Sequence, residues 1–385
     1  MTKERFKKIC QRCISDETIP GISFDGKGIC NYCRTHEKLD KEFPTGKQGL
    51  TKLKEIVRQI KEAGKGKKYD CIVGVSGGCD SSYLLYMAKE KFGLRPLAVH
   101  FDNTWNSDIA TQNIYLILKK LKIDLYTHVV NNEEYDDIYH SFLISGVKDV
   151  DVPTDIGLIT TLYQAADKYG IKYLLDGHSF RTEGIVPTDF VYMDGKYIES
   201  VQKKYGSKPL DTYPNLWLKN WLKWLVFSRI KRIRPLYYLD YNKEETKKML
   251  NKKFGWQWYG GHHNENRYTL FVVNYFLPKR FGIDFRMIEF SGLIRSGQMT
   301  RQEALRKIQE PKLIDDSILN LVKKRIKLTN QELKKIIEAP PKTYRDFKTY
   351  KPLFEKLRPL FWLMYKINLV PQSFYMKYTK KTEKR

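Results

Sequence analysis

Residues 69–75 read Tyr-Asp-Cys-Ile-Val-Gly-Val, an apolar and largely β-branched run that breaks at Ser76-Gly77-Gly78 and resumes with helical spacing at Leu84, Leu85 and Met87. That order predicts a buried strand, a tight turn, and a helix running to about Phe92 with Gly93 as its stop. A junction of this kind is a phosphate cradle. Two glycines let the backbone approach an anion and aim its N–H groups at one point, and the first turn of the helix adds unpaired N–H groups and dipole. Ser76, Ser81 and Ser82 add hydroxyl donors, while Asp80 suits a magnesium ion better than a phosphate oxygen. No Gly-Lys-Ser/Thr follows, which excludes a Walker loop, and the glycines do not fit a Gly-x-Gly-x-x-Gly dinucleotide turn. An ordinary glycine-rich turn is the competing reading; strand, loop and helix in sequence favour the cradle.

The flanking sequence extends the pattern. Residues 95–101 read as a second strand, 107–121 as a helix, 124–130 as a third strand, 156–169 as a helix and 172–176 as a further strand. Strands alternating with helices of this length predict an α/β fold with a parallel, doubly wound sheet. Ligands in such sheets sit beyond the carboxyl ends of the strands, where the strand order reverses. That rule nominates the polar cluster Asp102-Asn103-Thr104-Trp105-Asn106 and the turn Gly177-His178-Ser179-Phe180-Arg181-Thr182-Glu183-Gly184.

Before the sheet, Cys10-Gln11-Arg12-Cys13 and Cys30-Asn31-Tyr32-Cys33 are separated by 16 residues. Two such knuckles present four thiolates in a tetrahedron, the arrangement of a structural zinc ribbon, with an iron–sulfur cluster as the lesser alternative. Disulfides are the competing reading, disfavoured in a reducing compartment. His36 is expected on the surface rather than at the metal. A Lys-rich helix then leads into the sheet, marked by Leu50, Leu53, Ile56, Val57 and Ile60. These features divide the chain into a ribbon-like module (1–45), a nucleotide domain (46–240) and a helical C-terminal region (241–385).

Two stretches lie outside the alternating pattern. Residues 212–241 are aromatic and basic, which fits an amphipathic helix that packs on the core with a basic outer face, or rests on a membrane surface or partner. Trp256-Gln257-Trp258-Tyr259-Gly260-Gly261-His262-His263-Asn264-Glu265-Asn266-Arg267 packs histidines, a carboxylate and an arginine together, enough for acid–base and anion-binding work, or for a polar loop capping a helix that begins near Tyr268. Net charge is +25, from 69 basic and 44 acidic side chains. The partner or substrate is therefore expected to be anionic, and nucleic acid, a nucleotide sugar, a membrane surface and an acidic protein partner all satisfy that. The charged amino terminus carries no secretory signal, and no run of 18 apolar residues exists, so a cytoplasmic location is expected.

Taken together, the four cysteines, Ser76-Gly77-Gly78-Cys79-Asp80-Ser81-Ser82, Asp102-Asn103-Thr104-Trp105-Asn106, Gly177-His178 and Gly260-Gly261-His262-His263 closely resemble the N-acetyl sugar amidotransferase family, within the PP-loop ATP pyrophosphatases. The resemblance covers about residues 8–310. It implies ATP cleavage between the α and β phosphates and conversion of an acetamido group on a sugar, nucleotide-linked or sialic-acid-like, to an acetamidino group in bacterial surface-polysaccharide pathways. Implied cofactors are ATP, Mg2+ and structural Zn2+ on Cys10, Cys13, Cys30 and Cys33. The implied pyrophosphate cradle is Ser76, Gly77, Gly78, Ser81 and Ser82, with Asp80 on magnesium and Asp102, Gly177 and His178 near the adenylate. Arg181, Glu183, His262, His263, Glu265 and Arg267 are candidates for sugar binding, phosphate binding or proton transfer. The acidic pair that PP-loop enzymes carry after the glycine–histidine turn is replaced here by Ser-Phe-Arg-Thr-Glu. Beyond the ribbon only Cys71 and Cys79 remain, one in a strand and one in the loop, so a glutaminase nucleophile is lacking. Ammonia is therefore expected from a separate glutaminase subunit, working with a cyclase-like subunit. The alternative is a PP-loop tRNA-modifying enzyme, for which the ribbon and the charge also speak; nucleic acid is the less favoured partner.

Overall fold

The computed structural model describes residues 8–187, 191–261, 264–312, 314–367, 370 and 372–380. Five short strands, β1 (Cys71–Gly74), β2 (Pro96–Asp102), β3 (Leu125–Val129), β4 (Tyr173–Leu175) and β5 (Lys231–Ile233), form one sheet in the order β3-β2-β1-β4-β5. Every pairing is parallel, with Val73 opposite both Ala98 and Leu175. The order reverses between β1 and β4, so the crevice beyond their carboxyl ends lies between the loop after β1 and the turn after β4. This is the doubly wound sheet that the strand–helix alternation predicts.

Both faces of the central strands β1, β2 and β4 are covered, which is why these read as continuous apolar runs. The helices up to the sheet's end are α1 (Asn31–Glu42), α2 (Gly46–Ala63), α3 (Cys79–Tyr86), α4 (Asp108–Leu121), α5 (Asn132–Ile144), α6 (Val152–Lys168), α7 (Gly195–Tyr205), α8 (Leu218–Leu222) and α9 (Lys243–Phe254). On one face, Cys71, Val73, Ala98 and Leu175 pack against Val57 and Ile60 of α2, Leu84 and Leu85 of α3, Ile114 and Ile117 of α4, and Leu250 and Phe254 of α9. On the other, Ile72, Leu97, Val99 and Leu174 meet Leu162, Tyr163 and Ala166 of α6, together with Trp224 and Ile230.

The remainder is helical: α10 (Arg267–Phe271), continuing through a π-type turn into α11 (Leu277–Phe281), then α12 (Arg286–Arg295), α13 (Arg301–Lys307), α14 (Asp316–Arg325), α15 (Asn330–Glu338), α16 (Lys351–Lys356), α17 (Arg358–Lys366) and α18 (Gln372–Thr379). Their core is aromatic, with Tyr139 of α5 stacked on Tyr268 at 3.4 Å between ring centroids and Phe142, Tyr197, Phe276, Phe354 and Phe361 packed around them. It joins residues from both sides of position 240. Among the described residues no helix is long and apolar enough to cross a membrane.

The basic, aromatic stretch 212–241 differs from the single amphipathic helix expected there. Helix α8 and a π-type turn end at Phe227, Arg229 takes a left-handed φ of 50°, and Lys231–Ile233 becomes the edge strand β5. The Lys231 N–H bonds to the Lys172 carbonyl and Ile233 accepts from the Asp176 N–H, so backbone pairing to β4 overrides the helical spacing. Exposed Lys231 and Arg232 leave that edge charged, as protected edge strands are.

Candidate active site

The Ser76–Ser82 loop is built tightly against its neighbours. Gly77 has φ 79°, and a Cβ there would lie 2.1 Å from the Ala110 carbonyl oxygen, so the position admits only glycine. Around it the loop's N–H groups meet side-chain oxygens: Gly78 N donates to Ser76 Oγ (3.3 Å), Ser76 N to Ser81 Oγ (3.4 Å) and Cys79 N to the Tyr259 hydroxyl (3.3 Å). The Gly77 carbonyl accepts from Trp256 Nε1 (3.0 Å) and Asn113 Nδ2 (3.2 Å). Asn113 also pairs with both backbone groups of Gln257 at 2.8 Å, fastening the 256–259 segment over the loop. Ser82, in the first turn of α3, is buried and its N–H bonds to the Gly78 carbonyl (3.1 Å).

Asp80 points to a buried ion pair. Tyr241 donates its hydroxyl to Oδ1, and Lys243 Nζ lies 3.2 Å from Oδ2. Neither partner was nominated from sequence, because an isolated Tyr-Asn-Lys carries no pattern. Glu265 reaches the loop from the other side, its Oε1 3.3 Å from Ser76 Oγ. Its carbonyl accepts from Ser107 N (2.8 Å), Arg267 N donates to the Trp105 carbonyl (2.8 Å), and Asn106 bridges to Asn266, so the 102–107 and 264–267 clusters form one wall. Asn266 also caps α10 through Tyr268 N and Thr269 N. His262 and His263 lie outside the described residues.

Within that wall Asp102 accepts from Thr104 N (2.8 Å), closing a turn in which Thr104 takes φ 63°. Arg325 of α14 pins it from behind, donating to the Thr104 carbonyl (2.6 Å) and pairing with Asp136 (2.7 Å). Arg267 turns outward to Asp108 (3.0 Å), an exposed pair. His100, which sequence reasoning passed over as a strand residue, bonds through Nδ1 to the Val75 carbonyl (2.8 Å) and through Nε2 to Asn106 Nδ2 (2.8 Å). With the amide donating to Nε2, the imidazole is neutral and donates from Nδ1; burial lowers its pKa in the same sense.

Across the crevice, Gly177 packs on the start of α3: a Cβ there would stand 3.3 Å from the Ser81 nitrogen. His178 places Nδ1 3.0 Å from the Tyr237 hydroxyl and Nε2 3.8 Å from Glu183 Oε2. Burial, reinforced by Arg234, pushes its pKa down to about 4, so it is a neutral base at physiological pH. Beneath it, burial alone would raise the Asp176 pKa, but Arg232 (2.7 Å) and Arg234 (3.0 Å) hold the carboxyl below the usual range. Arg181 turns away from the crevice, pairing with Asp40 (2.7 Å) and donating to the Phe43 and Tyr237 carbonyls at 2.8 and 2.7 Å.

Those contacts tie the turn to the cysteine module. Cys10, Cys13, Cys30 and Cys33 are fully buried, with Sγ···Sγ distances of 3.8, 3.8 and 3.6 Å along three edges. Four thiolates about 2.3 Å from a tetrahedral zinc ion would stand about 3.8 Å apart. The cluster therefore fits a closed, four-sulfur metal site. Arg295 of α12 donates to Cys33 Sγ (3.3 Å) and Cys13 Sγ (3.2 Å), and the Cys10 and Cys13 carbonyls accept from Arg301 at 3.2 Å. His36 corrects the surface expectation. It is fully buried, edge-on to Phe180 at 5.0 Å and 3.3 Å from Asp40, and burial pushes its pKa down to about 4.

Residues 265–360 match the family described as LPS biosynthesis protein WbpG-like, C-terminal domain. An uncharacterized protein of Methanocaldococcus jannaschii is 24% identical over 306 residues, covering 79% of this chain and 94% of the relative. Among solved structures, NMN synthetase from Francisella tularensis overlaps 74% of this chain and 96% of its own at 16% identity and a TM-score of 0.35. The NH3-dependent NAD synthetase from Campylobacter jejuni overlaps 76% and 98% at 13% identity and a TM-score of 0.32.

Proposed function

We propose that the chain is an ATP-dependent enzyme of surface-polysaccharide synthesis that converts an acetamido group on a sugar to an acetamidino group. The observation that carries the reading is the glycine-locked phosphate loop facing the Gly177-His178 turn across the point where the strand order reverses. An amide carbonyl is a poor electrophile. Attack of its oxygen on the α-phosphorus of ATP expels pyrophosphate and leaves AMP on carbon as a good leaving group. Ammonia then adds at carbon, AMP departs with the oxygen, and a proton is lost to give the amidine. The description of the 265–360 family supports a polysaccharide sugar as substrate.

The loop's N–H groups and the first turn of α3 hold the pyrophosphate, and Ser76 and Ser81 present hydroxyls beside them. Magnesium bound with the nucleotide would supply charge neutralisation at the scissile bond, and Asp80 and Glu265 are the carboxylates that would hold it. His178, neutral and backed by Tyr237 and Glu183, is suited to accept the proton released as ammonia adds. Cys71 and Cys79 are buried; desolvation raises both thiols, Cys79 to about 12, which leaves them poor nucleophiles. Ammonia therefore comes from a separate glutaminase, with the cyclase-like subunit as the second partner.

The test is AMP and pyrophosphate release by the purified chain with ammonium, using UDP- and CMP-linked acetamido sugars and, separately, bulk tRNA. Release with a sugar, a product lighter by the difference between O and NH, and loss of both in Asp80→Ala are expected. Release with tRNA alone would overturn the substrate and favour the RNA-modifying reading.

A further inference from the structure

Helix α17 carries its apolar residues on both sides. Phe361 and Met364 are buried and join Phe354 of α16 in the helical core. The opposite face presents Pro359, Leu360, Trp362, Leu363, Lys366 and Ile367, all exposed. A helix face turned to water ordinarily carries charged and polar side chains; here five of six positions are apolar. Leu353 and Leu357 extend the surface along α16, and the large apolar side chains of the two helices stand between 38% and 58% exposed. Cations lie along the same segment, with Lys356 and Lys366 exposed and Arg358 half-buried. Over residues 350–380 there are six Lys and Arg against a single carboxylate, Glu355, which Lys351 neutralises at 3.0 Å.

We propose that this face is a membrane-surface contact that takes an anionic phospholipid bilayer. An apolar face with Trp and Leu, with Lys and Arg along the same segment, is the composition of an interfacial helix, and the surplus of positive charge selects acidic headgroups. Nine residues cannot span a bilayer, so α17 lies in the plane of the interface with Trp362 at headgroup level. A second copy of the chain is a poor occupant, because a self-contact would bring the same cations against one another. The surface is separate from the phosphate loop, and its test does not depend on ATP chemistry.

The experiment is co-sedimentation of the full chain with vesicles of mixed phosphatidylglycerol and phosphatidylcholine and of phosphatidylcholine alone, at low and high salt, beside sedimentation equilibrium of the chain without lipid. Expected are binding to the acidic vesicles only, release by salt, and a loss of about tenfold or more in Leu360→Glu/Leu363→Glu. Both side chains are half in water, so this variant should keep the wild-type melting temperature; Lys356→Glu/Lys366→Glu gives the same reading through charge if it does not. Absence of binding to acidic vesicles at low salt overturns the proposal. So does wild-type binding by both variants, which would assign the attraction to the net charge of the whole chain, and so does a dimer that Leu360→Glu/Leu363→Glu dissolves.

Discussion

Replacing Lys243 by methionine tests the electrostatics of the loop. Its ammonium lies 3.2 Å from Asp80 Oδ2, with the lysine side chain 8% and the aspartate 19% exposed. Burial alone would lower the Lys243 pKa, but Asp80 first, then Glu183 and Glu289, reverse this and hold it above the ordinary lysine range. At an effective dielectric constant of about 20 the Asp80 contact is worth roughly 5 kcal/mol of direct attraction, most of it offset by desolvation. Lys243→Met keeps the stem and strands the carboxylates, which costs about 3–5 kcal/mol. For 385 residues unfolding together at about 2.1 cal/mol/K each, the melting temperature should fall by roughly 4–6 °C. Adding Asp80→Asn removes one stranded charge, so the double variant should recover about 1–3 kcal/mol relative to Lys243→Met alone. Scanning calorimetry of the four proteins closes the cycle. A Lys243→Met melting point within about 1 °C of wild type, or strict additivity of the two substitutions, would refute the ion-pair argument.

Gly77→Ala should abolish ATP-dependent AMP release and lower the melting temperature more than Gly66→Ala. Both glycines have positive φ, but only Gly77 meets backbone within 4 Å; equal losses would mean the loop yields. Removing the metal with a chelator, or Cys13→Ser, should raise amide exchange across residues 177–184, because Arg181 and Phe180 rest on α1 of the cysteine module. Unchanged exchange would show that the module does not brace the turn. Burial pushes the Asp149 carboxyl up to about 7. A raised carboxyl binds its proton more readily folded than unfolded, so its contribution is full below the unfolded value near 4 and is lost as pH rises through 7. His36 and His178, both lowered to about 4, act oppositely, adding stability as pH rises from 4 to 6.5. The wild-type minus Asp149→Asn difference in melting temperature isolates the carboxyl and should fall between pH 4 and 7 by roughly 5 °C, the equivalent of about 4 kcal/mol; a flat difference would refute the raised, buried carboxyl.

The sheet was legible because its central strands β1, β2 and β4 are covered on both faces and must be apolar, as Cys71-Ile72-Val73 and Leu97-Ala98-Val99 are, while the edge strand β3 keeps a β-branched and aromatic run with alternate residues exposed. Strand β5 was not, since an edge strand needs no apolar run; Lys231-Arg232-Ile233 belongs to the sheet through pairing with Tyr173-Leu174-Leu175, which no local pattern announces. Helices α5 and α7 escaped for a related reason. Their buried faces carry Tyr135, Tyr139 and Tyr197, residues that strands favour equally. The local signals are their N-caps, Asn131 accepting from Glu134 N and Asp194 from Tyr197 N, and for α5 the stack of Tyr139 on Tyr268 adds the tertiary one.

At the candidate site, residue type nominated the polar groups, and distance alone could identify their partners. Arg181 and His100 make the contrast: a candidate anion-binding arginine fastens the cysteine module, while an unremarked strand histidine holds the loop through Val75. The same contrast bears on how the cradle works. Its N–H groups at Ser76, Gly78 and Cys79 already point at oxygens, those of Ser81, Ser76 and Tyr259. On the proposed reading, a phosphate arriving there would exchange one oxygen for another, so the loop would have little to rearrange, and that preorganisation is where an electrostatic site gains most of its advantage over water. Of the three, the Tyr259 hydroxyl is the one that phenylalanine removes while keeping the ring against Trp256 and Trp258. Tyr259→Phe should therefore keep the fold and tighten ATP, by removing the hydroxyl that competes for the Cys79 N–H; weaker binding would show instead that the hydroxyl itself holds the phosphate.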